Sequence, residues 1–327
     1  MKKMGFKTKI ITVFLLSLLI MLFVVGCQET SEDQTGDQVV KTLKIGSLVL
    51  DENLPILVAQ QKGYFEEHDL QVELLTLQSP VELQSTFQSG ELDGMITDIM
   101  IALMLKGSGE DLRITSISLG ATAQEGPFAI MIPSDSELKT VQDLKGKTVG
   151  ISSNSIIEYV LDQILIQSGM NPEDVQKTTV AKIPVRIEML LNNQIDAIIV
   201  PEPHISYMLA KGAKVLSDDT TKENISQSVI VMTQNALNDK SDDITCFYEA
   251  YTQAVQDINN DPEQYKGLMV ESLNISDETS EVYQVQSYSE PQLPTEKNVN
   301  DIVTWLQEKG LLQNEINYQD IISLNLW

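Results

Sequence analysis

Asp143-Leu144-Lys145-Gly146-Lys147-Thr148-Val149-Gly150-Ile151-Ser152-Ser153-Asn154-Ser155-Ile156 is the stretch on which the fold is read. Val141 to Leu144 reads as a short helical turn and Thr148 to Ile151 as a strand. Ile156 to Ser168 reads as a helix closed by Gly169. Three Ser and one Asn separate the strand from the helix. In open α/β sheets, ligands bind beyond the carboxyl ends of parallel strands. Helix N-termini there present free N–H groups and the positive end of the helix dipole. One residue of such a turn can be an ordinary N-cap, but four exceed what a cap requires. Ser152, Ser153, Asn154 and Ser155 are therefore expected to contact a ligand and could hold a carboxylate, sulfonate or phosphate.

The same alternation of strand and helix runs outward in both directions. Upstream, strands are expected at Leu43 to Val49, Gln71 to Leu77, Gly94 to Thr97, Ile114 to Leu119 and Phe128 to Ile132. Helices Ile56 to Lys62, Val81 to Ser89 and Ile99 to Lys106 separate the first four. Downstream, strands Thr178 to Ala181 and Ala197 to Val200 alternate with helices Val185 to Asn192 and Ile205 to Lys211, before a mostly helical tail from Asn235. Strands spaced by helices of about 10 residues predict parallel βαβ units and the α/β class.

Three further turns stand where a cleft would be. Leu50-Asp51-Glu52-Asn53 follows the first strand, and Asn53 is its chosen ligand candidate. Gln78 and Ser79 precede Pro80, and Thr97 and Asp98 precede a helix. Glu202 lies between Pro201 and Pro203, which stiffen its turn. Asp98 and Glu202 could each accept from a ligand or merely cap a helix. Tyr159, one turn into the Ser-rich helix, could face a ring-bearing ligand. Tyr64, Phe65 and the methionines at 95, 100 and 104 read as core.

The N-terminus carries Lys2, Lys3, Lys7 and Lys9, then an uncharged run from Ile10 to Val25, then Gly26-Cys27. A cationic head, an apolar run and a small residue before a Cys read as a lipoprotein signal over residues 1–26, with Cys27 the lipidated N-terminus. The run is shorter than the ~20 residues that span a bilayer core, which disfavours a plain membrane anchor. Residues 27–41 read as a polar tether. The formal charge is −25, and loss of four lysines with the signal makes it more negative still. Such a surface repels nucleic acid and anionic headgroups, so membrane attachment must come from lipid. With Cys27 lipidated, Cys246 is the single thiol left. That leaves no internal disulfide and no Cys-rich metal site. His68, beside Glu66, Glu67 and Asp69, reads as a solvated residue at a helix end, and His204 as a helix-start residue without a role.

Four short motifs occur in order. They are Gly63-Tyr64-Phe65-Glu66 through Leu70-Gln71-Val72; Gly90-Glu91-Leu92-Asp93-Gly94; Asp143 to Gly150; and Asn193-Gln194-Ile195-Asp196-Ala197 with Pro201-Glu202-Pro203. In these the chain resembles the solute-binding proteins of ABC importers, in the group that binds nitrate, sulfonates, taurine and thiamine pyrimidines. Asn193 stands where that group usually has Gly. The resemblance runs from about Leu43 to Trp305. It implies a two-lobed periplasmic-binding-protein-like fold, each lobe a mixed sheet flanked by helices, with the ligand in the cleft between them. The expected division is 42–126 with 235–327 for lobe one and 127–234 for lobe two. The chain would cross near Glu125–Phe128 and again near Val231–Asn235.

The expected function is capture of a small molecule by a monomer, lipid-anchored on the extracytoplasmic face of a membrane, and its delivery to an ABC permease and its ATPase. No cofactor and no catalytic residue is expected: the Cys cluster of the related thiamine-pyrimidine synthase is absent from the sequence. A ligand-sensing subunit of a membrane signalling protein, and an enzyme related to that synthase, are the alternatives.

Overall fold

The computed structural model describes residues 41–220, 224–324, 326 and 327. Cys27, the signal and the tether lie outside them, except Lys41, which opens the first strand rather than closing the tether. No helix of the described residues is long and apolar enough to cross a membrane.

Among the described residues, ten strands form two five-stranded sheets of one design. The first holds β1 (Lys41–Leu48), β2 (Leu70–Leu77), β3 (Gly94–Asp98), β4 (Leu112–Leu119) and β10 (Ser228–Thr233), ordered β2-β1-β3-β10-β4. The second holds β5 (Phe128–Ile132), β6 (Thr148–Ile151), β7 (Gln176–Thr179), β8 (Ala197–Pro201) and β9 (Lys214–Asp218), ordered β7-β6-β8-β5-β9. In each, four strands share one direction and one strand arriving from outside the βαβ series inserts antiparallel between two of them. The fold is thus α/β, with two mixed sheets flanked by helices.

Local chemistry places the helices. Pro55 sits in the first turn of α1 (Leu54–Lys62), where its missing N–H costs nothing, and Gly63 closes that helix in the left-handed conformation at φ 77°. Ser79 caps α2 (Pro80–Gln88) by accepting from Glu82 N–H, and Asp98 caps α3 (Ile99–Gly107) by accepting from Ile101 N–H at 2.8 Å. The second sheet carries α4 (Ile156–Gln167), α5 (Ile183–Leu191) and α6 (His204–Ala210). The tail supplies α7 (Ser241–Asn260) and α8 (Glu296–Glu308). Gly94 is required by crowding: a Cβ there would lie 2.5 Å from Val231 O on the neighbouring strand.

The core has three parts. One lies between the first sheet, α1 and α7, and contains Phe65 and Phe247 stacked at 5.7 Å. A second joins both sheets through α3, α4 and α8 and buries Met95 and Met100. The third covers the far face of the second sheet with α5 and α6. Tyr64 and Phe65 serve helix packing, the first through a 2.5 Å bond to Asp257 Oδ2.

The chain passes between the sheets twice, from β4 to β5 and from β9 back to β10. The return lies between Asp218 and Ser228, upstream of the expected Val231–Asn235, because β10 pairs on both sides with first-sheet strands. The two crossings are bound to each other by buried polar groups. Asn224 Nδ2 donates to Glu125 O at 2.7 Å, and Asp219 accepts from Phe128 N–H at 2.8 Å and Ser226 Oγ at 2.6 Å. The Glu125 carboxylate gathers Gly120 N–H, Ala121 N–H, Thr122 Oγ1 and Ser289 Oγ.

Candidate functional site

A cleft of about 70 Å³ opens beside these crossings, walled by residues of both sheets. From the first sheet come Asp51 and Glu52, in the turn after β1, and Ser228 on β10. From the second come Phe128 on β5 and Glu202 after β8. No Lys or Arg lines it among the described residues.

Asp51 is 2% exposed. Its Oδ2 accepts from Tyr283 Oη at 3.1 Å and Gln286 Nε2 at 3.0 Å, and its backbone carbonyl accepts from Tyr288 Oη at 2.8 Å. Its Oδ1 is buried with no partner. Burial, then the charges of Glu202 and Glu52, pushes Asp51 up to about 7. Glu52 also rises to about 7, chiefly through burial, with Asp98 adding to it. Glu202 is raised by burial even though it accepts from Ser206 N–H and Oγ, both at 3.1 Å, in the first turn of α6. Burial brings Asp98 to about 6. Asn53 Oδ1 and Gln227 Oε1 are two more buried acceptors without a partner. The site is rich in acceptors and negative charge, and poor in donors.

Gln286 links this chemistry to the crossings. Its Nε2 donates to Asp51 while its Oε1 accepts from Gly126 N–H at 2.5 Å.

Of the residues singled out in the sequence, Glu202 lines the opening. Asn53 is buried beside it in the same turn as Asp51, and its Nδ2 is spent on Leu48 O at 2.6 Å. Thr97 and Asp98 end β3, and Asp98 serves as a cap while its charge reaches Glu52. Gln78 is exposed, and Ser79 is engaged in capping α2. The Ser-rich turn makes contacts within the protein. Ser152 Oγ donates to Ala181 O and accepts from Arg186 Nη1 at 2.9 Å; Ser153 pairs with Thr179 Oγ1 at 2.6 Å. Asn154 takes a left-handed φ of 57° and donates its N–H to Glu158; Ser155 Oγ donates to Ser152 O. Tyr159 is buried edge-on against Trp305 rather than turned to the cleft. Arg186, wholly buried with Nε and Nη2 unpartnered, stands beside His204. Burial and that guanidinium hold His204 down at about 4.

The residues missed were Asp51, Glu52 and Gln286. The first two stand in a turn read as part of a cleft, and the available signal was two adjacent acids between apolar segments.

The family model described as NMT1/THI5 like matches residues 52–265, and the chain belongs to that family. A Haemophilus influenzae protein named for thiamine biosynthesis is 28% identical over 160 residues, 47% of this chain and 48% of that protein. The Saccharomyces cerevisiae 4-amino-5-hydroxymethyl-2-methylpyrimidine phosphate synthase THI11 is 28% identical over 124 residues, 37% of this chain and 35% of the synthase. The chain therefore spans half or less of the length of these curated relatives. Among solved structures, the periplasmic aliphatic sulphonate binding protein SsuA from Escherichia coli superimposes with a TM-score of 0.74 at 17% identity, over 88% of this chain and 98% of SsuA. The shared fold is the periplasmic-binding-protein fold.

Proposed function

We propose that this protein is an extracytoplasmic solute-binding protein. It captures a small molecule that carries positive charge or several N–H donors, such as an aminopyrimidine or an amine, and delivers it to an ABC permease and its ATPase. The lipid on Cys27 keeps it beside that permease. The observation that carries the ligand class is the convergence of Asp51, Glu52 and Glu202 on one opening, with Asp51 Oδ1 buried and unpartnered. Buried carboxylates without a counter-ion are costly, and a cationic or donor-rich ligand relieves that cost. A sulfonate, the ligand in SsuA's name, would meet like charge here, which is how a site rejects a competitor. The family and the two-sheet architecture support capture between lobes.

The test is a thermal-shift comparison of the full chain with 4-amino-5-hydroxymethyl-2-methylpyrimidine, an alkylamine and an alkylsulfonate. A ligand at 100 times its dissociation constant adds ~2.7 kcal/mol to the folded state. Stabilisation by the aminopyrimidine or the amine is expected. Stabilisation by the sulfonate alone would defeat the ligand class, and recovery of a chemically altered ligand would replace binding by catalysis.

A further inference from the structure

We propose that His68, Cys246 and Glu249 form a binding site for a divalent ion of the zinc class on the first lobe. His68 Nδ1/Nε2, Cys246 Sγ and a Glu249 carboxylate oxygen offer one ligand each, all within 4.8 Å of one another. His68 Nδ1 already lies 3.5 Å from Glu249 Oε2. At metal–ligand bonds of about 2.0 to 2.3 Å, tetrahedral coordination sets ligand atoms roughly 3.3 to 3.8 Å apart. Small rotations of χ angles therefore suffice to close the shell. None of the three lines the cleft.

The arrangement is built by packing. Cys246 and Glu249 are three residues apart on α7, so they share a face of that helix. His68 ends the short helical turn Glu66–His68, and Asp69 then turns the chain at a left-handed φ of 52° into β2. Phe65, three residues before His68, stacks flat on Phe247, next to Cys246. This contact holds the turn against α7 whether or not an ion is bound. Imidazole, thiolate and carboxylate together suit zinc, with a fourth position left for water. Binding forms a metal–sulfur bond and sends the thiol proton to solvent. The charged groups around the thiol are Glu249, Asp242, Asp243 and Lys41, and the Lys41 ammonium is held by Asp243 at 3.0 Å. The bound ion would staple the turn before β2 to α7.

The experiment is a cobalt(II) titration of the reduced, metal-stripped full chain. The expected result is one equivalent bound, with a thiolate-to-cobalt charge-transfer band and the visible bands of a tetrahedral ion, all displaced by zinc. Cys246→Ser should abolish the charge-transfer band, and His68→Ala should weaken cobalt binding at least tenfold. Metal-free thermal unfolding of both variants should match that of the parent, showing an intact fold. Lack of stoichiometric binding, a charge-transfer band surviving in Cys246→Ser, or unchanged affinity in His68→Ala overturns the proposal.

Discussion

Trp305 donates its indole N–H to Asp162 Oδ2 at 3.1 Å, joining α8 to α4 of the second sheet. Lys177 Nζ lies 2.5 Å from Asp162 Oδ1, and Lys309 Nζ bonds Glu158 Oε1 at 2.6 Å. Asp162 is 3% exposed, and these partners satisfy its carboxylate away from water. Asp162→Ala leaves the buried indole N–H of Trp305 without its acceptor and strips Lys177 of one of its two carboxylates, Glu158 remaining at 3.2 Å. The expected cost is about 2 kcal/mol, the range for a buried donor left without its partner. Urea unfolding followed by tryptophan emission measures it, and a loss under about 1 kcal/mol would show the contact to be dispensable.

The cleft acids set the pH dependence of the ligand-free protein. Unfolded Asp and Glu titrate near 3.9 and 4.3, whereas Asp51 and Glu52 titrate at about 7 in the fold. Between these values the folded state binds more protons than the unfolded one, so stability falls as pH rises through 7. Glu158, Asp111 and Asp196 are held below their usual range and act oppositely, losing their contribution only as the medium becomes strongly acid. The melting temperature should therefore be higher at pH 5 than at pH 8, and the reverse order would contradict the assignment.

Replacing Asp51 by Asn separates charge from shape. Gln286 and Tyr283 keep an acceptor, but the negative charge facing Glu202 is gone. Calorimetry should show a cationic or aminopyrimidine ligand bound at least tenfold more weakly, and ligand-free stability at pH 8 should rise. Undiminished affinity would remove Asp51 from the site.

Exchange of Ser152, Ser153 and Asn154 for Ala gives the contrasting case. The two hydroxyls bond Arg186 and Thr179. The triple variant should lose about 2 kcal/mol of stability, at ~1 kcal/mol per bond, and change ligand affinity less than threefold. A tenfold loss of affinity with unchanged stability would return the ligand to this turn.

The βαβ series was legible because its signals are local: Pro55 and Gly63 bracket α1, and Asp98 caps α3. The return crossing was not, because β10 gains its place by inserting between β3 and β4, a pairing across more than a hundred residues. The Leu50–Asn53 turn was found, yet Asn53 was preferred to its acidic neighbours. What makes Asp51 distinctive is burial under Tyr283, Gln286 and Tyr288, which follow it by more than 230 residues. Tyr159 turns from the cleft for a similar reason: its helix face meets Trp305, supplied by the far end of the chain.

The side chain of Gln286 is a planar amide with one end on Asp51 and the other on Gly126. Such a group cannot follow a displacement at one end without passing it to the other. Work done by a ligand on Asp51 is then felt at the segment that carries the chain from the first sheet to the second, and by thermodynamic reciprocity the influence also runs backward. A membrane partner that grips the closed shape would slow the ligand's escape, and one that pries the lobes apart would empty the cleft.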